Sequence, residues 1–460
     1  MNNHNVPALT ASDALREMTS GRMTSEALVS ACLARIAERD AAVEAWAHIE
    51  PEKVLHEARE ADAARARGGP QRPLAGIPVG IKDIIDTAEY PTEYGSPVFK
   101  GHYPASDATV VGELKRAGAI ILGKTVTTEL AFFGPGKTRN PRNREHTPGG
   151  SSSGSAAAVA DFQVPLALGT QTAGSIIRPA SFCGTIGFKP TFGYISRIGV
   201  LPQSPPLDTI GGYARSIEDI ALLIDCLSGY DPRDHDMTTG PKASLVAALS
   251  SKLNRPPRFA FIKSPAWSQA DAETQSAFDG YANSFGARAE VVEVPLPGEF
   301  DGSLRLQQIV QFSDIAKNFG PIADKNPEKV SQKLKDTIAE GRTLKPADVA
   351  AARAERDSLY DALRPVLINY DAILTPAAPG PALKGLAGTG SPIFNALWTY
   401  LGMPCISLPL LEARGLPLGV QLVAARGEDG SLLRVANWLM ENGRNHSERH
   451  FQNQLPPPTA

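Results

Sequence analysis

No apolar run in this chain approaches the ~20 residues that a membrane-crossing helix requires. The N-terminus, MNNHNVPALTAS, has neither the basic region nor the apolar core of a secretory signal. Cysteine is scarce: Cys32, Cys183, Cys226 and Cys405 lie far apart and form no CxxC pair. That spacing excludes a disulfide framework and a zinc-ribbon site, and points to reduced thiols in a cytoplasmic protein. Neither sign of charge is in excess. A net charge of −3 with no dense Lys/Arg run leaves no basic face for nucleic acid, so none is expected as a partner. Internal repeats and low-complexity tracts are also missing. What remains is an ordinary globular composition, 42% hydrophobic and 21% charged over 460 residues.

The chain reads as alternating helices and strands. Thr24 is placed to cap a helix carrying Leu28, Cys32, Leu33 and Ile36 on one face. Pro51 suits the first turn of a second helix. Ile77, Val79 and Ile81 alternate as a strand, which sends Pro78, Gly80 and Lys82 to the opposite face. Asp107 is expected to cap the helix ATVVGELKRAG, and Ser216 another that runs through Ile220, Leu223 and Ile224. Residues 230–257 form a Pro/Asp-rich excursion, and RFAFI, a helix and EVVEV then form a strand–helix–strand unit with parallel pairing. Residues 302–368 read as a mainly helical, cap-like insertion beside the site. DAILT, CISLP and LGVQLV return to the sheet, and residues 454–460 form a disordered tail.

The stretch from Pro148 to Pro190 holds two small-residue turns, Gly149–Gly154 and Thr172–Ser175, each opening into a helix-like segment. Serines there sit among backbone N–H groups free to bind an anion. A flexible Gly/Ser linker would have no use for the apolar blocks AAAVA, VPLAL and TIGF that follow. These residues resemble the amidase signature family, whose hallmark is a GGSSGGS turn followed by a second serine in a GGSIR context. The matching serines are Ser151 and Ser175, and the matching strand-end lysine is Lys82 in GIPVGIKD (76–83). KTVTTELAFFG (124–134), LDTIGGYARSIEDIA (207–221), YDAILTPAAP (370–379) and GLPLGVQLVA (415–424) resemble later landmarks of the same fold.

The resemblance implies an α/β fold, one large mixed, twisted β-sheet covered by helices on both faces. A single domain over residues 1–460 is expected, with the signature core at about 74–215. It implies amide hydrolysis with Ser175 as nucleophile, Ser151 as a bridge following a cis peptide bond, and Lys82 as the terminal base. Lysine serves as a base at neutral pH when burial disfavours its ammonium form. Backbone N–H groups of Thr172, Ala173, Gly174 and Ser175 would form the oxyanion hole. No metal or organic cofactor is implied.

The chain departs from the family pattern at Ser153 and Ala173, both replacing glycine, and at Gln171, where many members have aspartate. Arg178 in TAGSIIRP is similar to malonamidase-type members, in which this arginine meets a substrate carboxylate; structural pairing with an internal acid is the other reading. Ala131, Phe132 and Phe133 match the family's substrate wall and, with Phe394, Trp398 and Tyr400, suggest an apolar acyl pocket. Candidate substrate contacts are therefore Ala131, Phe132, Phe133, Gln171, Arg178 and Trp398.

Two other patterns lack their context. Gly118–Thr125 fits GxxxxGK[ST], but its intervening residues are themselves a strand preceded by a helix. Gly150–Gly154 fits GxSxG around Ser152, yet the polar TRNPRNREHTP precedes it where a buried strand is needed. Cys183, in an apolar run without a nearby base, reads as a core thiol. The expected activity is hydrolysis of a small amide, whether an arylacylamide, a carbamate (urethane) or a short acid amide. A homodimer is left open. The alternative is an amidotransferase component that releases ammonia from glutamine for a partner acting on tRNA.

Overall fold

Eleven strands form one continuous mixed sheet in the computed structural model, which describes residues 3–443. In chain order these are β1 Trp46–Ile49, β2 Pro78–Lys82, β3 Ile120–Thr125, β4 Leu166–Gln171, β5 Ile186–Lys189 and β6 Thr209–Ala214. They continue as β7 Arg258–Phe261, β8 Glu290–Glu293, β9 Ala372–Pro376, β10 Cys405–Ala413 and β11 Leu416–Val423. The spatial order is β1-β3-β2-β4-β6-β5-β10-β11-β9-β7-β8. The two ends of the chain therefore interlock at mid-sheet, where β5 pairs antiparallel with β10. The tail expected over residues 454–460 lies outside the described residues.

Burial explains why the central strands read as near-continuous apolar runs. Every residue of β2, β3, β4, β5, β6, β9 and β11 is buried, so both faces of the sheet are covered there. Residues that reach solvent lie on β1, β7, β8 and β10. On β8 the outward Glu290 pairs with Arg258 of β7 at 2.6 Å, which places charge on an otherwise unpaired strand edge. β7 and β8 are parallel neighbours, as the strand–helix–strand reading anticipated.

Two short helices carry the serine turns into the interior. Ser153–Ala160 and Ile177–Cys183 are buried at every residue. In the first, a run of serine, glycine and alanine allows this. A Cβ at Gly154 would collide with the backbone at Ala45 and Val126, so only glycine permits that approach. Most of the residues between the two glycines of GxxxxGKT lie in β3, as expected, and Lys124 donates to the Ile85 carbonyl at 2.9 Å while facing Asp83 at 3.3 Å.

Caps follow the sequence in most places. Thr24 and Ser216 accept from backbone N–H groups of Ala27 and Asp219. Asp107 does not cap the helix Thr109–Arg116. Its carboxylate accepts instead from the Ala88 N–H at 2.8 Å and pairs with Lys115 at 2.8 Å. Residues 302–368 contain the helices Ser303–Lys325, Gln332–Thr343, Pro346–Ala362 and Arg364–Asn369. The first of these reaches the Thr172–Ser175 turn through Gln307, which donates to the Thr172 carbonyl, and its Gln311 donates to Gln203.

Candidate active site

Lys82 ends β2 with its side chain fully buried. Its Nζ lies 2.6 Å from Ser151 Oγ and 2.7 Å from Thr170 Oγ1. Burial holds the amine well below the ordinary lysine range, opposed by the carboxylate of Asp208. Asp83, its chain neighbour, turns to Lys124 as alternation along a strand requires.

Ser151 follows a cis peptide bond from Gly150. Ser151 and Ser175 line one small cavity together with Phe132, Phe133, Arg178 and Gln311. Ser175 is partly exposed to it, whereas Ser152 is fully buried and shares hydrogen bonds with the Thr170 backbone at 3.2 Å. The GxSxG serine therefore has no access to a substrate. Cys183 is likewise buried, and its thiol is pushed up by burial, which leaves it inert as a nucleophile.

The turn Thr172–Ser175 is anchored from outside. Thr172 Oγ1 donates to Asp208 at 2.6 Å, Thr399 Oγ1 donates to the Ala173 carbonyl at 2.7 Å, and Tyr213 Oη donates to the Ser175 carbonyl at 3.1 Å. The N–H groups of Ala173, Gly174 and Ser175 donate to no backbone carbonyl in the loop network of the described residues. They are therefore available to an oxyanion. A Cβ on Gly174 would meet Pro392 at 2.8 Å and strike the Asn395 side chain, so glycine is what lets the helix Ile393–Tyr400 close over the turn.

Two of the anticipated substrate contacts lie elsewhere. Gln171 Oε1 accepts from the N–H groups of Ile176 and Ile177 at 2.8 and 3.0 Å, and its Nε2 donates to Thr399 at 2.9 Å. It organises the start of a helix and faces neither cavity near the serines. Trp398, with Tyr400, packs in the apolar cluster under the sheet, and Phe394 is buried with Ala266 and Ala270. Ala131, Phe132 and Phe133 do line the Ser175 cavity.

Arg178 is the charged side chain in that cavity, and it is wholly buried. Its Nη2 donates to the Gly150 carbonyl at 2.6 Å and to Thr389 at 3.3 Å. Nε and Nη1 have no partner, and no carboxylate pairs with it among the described residues. Burial lowers its pKa to about 10, so it keeps its charge at neutral pH. The reading in which it pairs with an internal acid thus finds no acid.

Sequence reasoning missed Thr170, Asp208 and Gln203. Thr170 is the polar residue on the Lys82 face of an apolar strand, a signal that alternation could have supplied. Asp208 sits in LDTIGG and accepts from Thr172 and from the N–H groups of Gln203 and Ser204, both at 2.9 Å. Burial raises its pKa to about 6, so above that pH its charge favours the Lys82 ammonium. Asp208→Asn is expected to shift the acid limb of kcat/KM to lower pH, even where the weakened turn lowers the plateau. An unmoved limb in a pH–rate profile would remove Asp208 from the electrostatics of Lys82.

The wall between Lys82 and the cap is under backbone strain. Leu130 and Ala131, with φ of 46° and 57°, both occupy the left-handed region, at a cost of roughly 1–2 kcal/mol each. Gln203 Nε2 donates to both carbonyls, at 3.3 and 2.9 Å, while its Oε1 accepts from Gln311 Nε2 at 2.8 Å.

Comparison with known proteins places this geometry. The chain is 33% identical to a glutamyl-tRNA(Gln) amidotransferase subunit from Rhodopirellula baltica, over 98% of each chain. Among solved structures it resembles a chain of an inhibitor-bound vestigial protein complex described as revealing the evolutionary origins of an s-triazine catabolic enzyme, at 29% identity and TM-score 0.87, covering 95% of this chain and 99% of that one. It also resembles a peptide amidase from Stenotrophomonas maltophilia, at 28% identity and TM-score 0.82, covering 96% and 98%. The first relative corrects an expectation drawn from net charge. It is one subunit of an enzyme named for a tRNA, so the lack of a basic face does not exclude nucleic acid or a protein partner for a chain of this type. The sequence model of the Amidase family matches residues 27–433, and the chain belongs to the amidase signature family.

Proposed function

We propose that this chain hydrolyses amide C–N bonds through an acyl-enzyme on Ser175. The observation that supports this most is the buried Lys82 amine, 2.6 Å from Ser151 Oγ, on a serine that shares a cavity with Ser175. A neutral amine donates to Thr170 and turns its lone pair to the Ser151 hydroxyl. Ser151 then accepts the Ser175 proton as its own passes to Lys82, and Ser175 Oγ bonds to the substrate carbonyl carbon. Charge on the carbonyl oxygen is met by the turn's N–H groups, each worth ~2.7–4 kcal/mol in the transition state. As the C–N bond breaks, the proton returns through Ser151 to the leaving nitrogen. Water then attacks the ester by the same relay and releases the acid. Free, mostly buried cysteines suit a cytosolic location.

Two substrate assignments have support. Relatives that serve as glutamyl-tRNA(Gln) amidotransferase subunits favour glutamine, with ammonia passed to a partner acting on tRNA. Arg178, unpaired at Nε and Nη1, suits the carboxylate of glutamine or of any short acid amide. The lining of the Ser175 cavity favours the second assignment, a small amide or carbamate. Its lining includes the aromatic side chains of Phe132 and Phe133, which suit an apolar acyl group.

The test is a panel of glutamine, acid amides, anilides and carbamates, run with the chain alone and with amidotransferase partner proteins and tRNA. Turnover of glutamine confined to the assembled complex would settle on the amidotransferase; turnover of other amides by the chain alone would settle on the hydrolase. Arg178→Leu is expected to raise KM tenfold or more for substrates carrying a carboxylate and to spare kcat, because the lost contact is ground-state binding. Equal loss on neutral substrates, with a lower Tm, would assign Arg178 to the fold.

A further inference from the structure

The cavity at Ser175 measures about 20 Å³, room for roughly one water molecule. No amide with a substituent on either side of its carbonyl fits there without an adjoining space. Such a space exists on the far side of Ala131 and Gln203, which line both cavities. It is a chamber of about 280 Å³, close to the roughly 300 Å³ at which small-molecule sites begin.

The two ends of the chamber differ. Thr170, Thr172 and Asp208 lie at the Lys82 end, and Ile84, Val200, Leu201 and Ile210 supply apolar wall. At the far rim, Asp234 and Asp236 are both paired with Arg197 at 2.6 Å, which sets these charged groups of the chamber at the end away from Lys82. The chemistry dictates which half of a substrate would lie here. The leaving nitrogen must face Ser151 to receive its proton, and Thr170, bonded to Lys82, opens directly into the chamber.

We propose that this chamber binds the amine half of the substrate, an apolar N-aryl or N-alkyl group, reached when the Gln203 side chain leaves the Ala131 carbonyl. The inference rests on amide hydrolysis at Ser175 and narrows it to N-substituted amides or carbamates. Ammonia, about the size of a water molecule, would leave most of the chamber unfilled. The N–H of the released amine finds acceptors in Thr170 and Asp208, and its apolar body the aliphatic wall. Gln203 acts as the partition because its amide bonds the strained Leu130–Ala131 wall on one side and Gln311 of the cap on the other.

The experiment compares primary amides and anilides that share acetyl or succinyl as the acyl group. For wild type, kcat/KM is expected to be higher for the anilide than for the amide. Leu201→Trp, which fills the chamber, is expected to lower the anilide-to-amide ratio tenfold or more. Val200→Trp repeats the test from the half-buried rim if the first variant does not fold. Aniline should also inhibit wild type competitively, and either variant less. A ratio within twofold of wild type in a folded variant overturns the chamber assignment and leaves amide hydrolysis intact. Failure of wild type to cleave any amide or to take a fluorophosphonate on Ser175 overturns both.

Discussion

Ser175→Ala is expected to lower kcat for amide hydrolysis by at least ~10⁴-fold with little change in Tm. The side chain reaches a cavity, and the turn around it is held by Thr172, Thr399 and Tyr213, none of which bonds the Ser175 hydroxyl. Loss of one oxygen therefore leaves the scaffold in place. A fluorophosphonate should label Ser175 in wild type and nothing in the variant. Labelling at Ser152 would contradict the assignment, since that hydroxyl is buried against the Thr170 backbone. Measurable turnover by the alanine variant on the same substrate would transfer the nucleophile elsewhere.

Lys82 carries the second large effect, and its sign follows from burial. The amine lies well below the ordinary lysine range, so its neutral, reactive form gains as pH rises, and kcat/KM should climb through the lowered pKa to a plateau. Lys82→Ala should remove that limb and cost at least ~10³-fold in rate. Lys82→Arg should do no better, because guanidinium stays protonated and cannot accept from Ser151. An active arginine variant would end the base assignment.

Stability should move the other way. Between the lowered native pKa and the ordinary value of ~10.4, the unfolded lysine holds a proton that the native one lacks, so folding stability rises with pH across that window. At neutral pH the wild type carries this penalty. An inactive Lys82→Met, which keeps the volume without the charge, is therefore expected to melt higher than wild type at pH 7. A lower Tm for the methionine variant would mean that the lost bonds to Ser151 and Thr170 outweigh desolvation.

The parts of the site legible in the sequence were those fixed by short-range pattern. Lys82 ends a strand whose alternation is visible in IPVGIK, and each serine turn is a run of small residues ahead of a helix. The rest depends on which distant segments the fold brings together. Gln203 and Gln311 meet across more than a hundred residues, and nothing local to either marks the contact. Trp398 shows the converse limit. An aromatic in an apolar helix reads the same whether it lines a cavity or fills the core, and here burial in the apolar cluster with Tyr400 decides it. Gln171 was read through the aspartate it replaces. Its amide has a use the carboxylate lacks, accepting from Ile176 and Ile177 at one end while donating to Thr399 at the other.

The reach of Thr399 back to the Ala173 carbonyl, 226 positions away in sequence, has a consequence for synthesis of the protein. By the time the ribosome has made residue 392, Lys82, Ser151 and Ser175 have all emerged, but the helix Ile393–Tyr400 that closes over the turn has not. Strand β10, which joins the two halves of the sheet, follows still later. A nascent or truncated chain thus holds its reactive groups without the frame that aligns them, and contacts of such sequence separation form late. Hydrolytic competence is then withheld from fragments that end before β10.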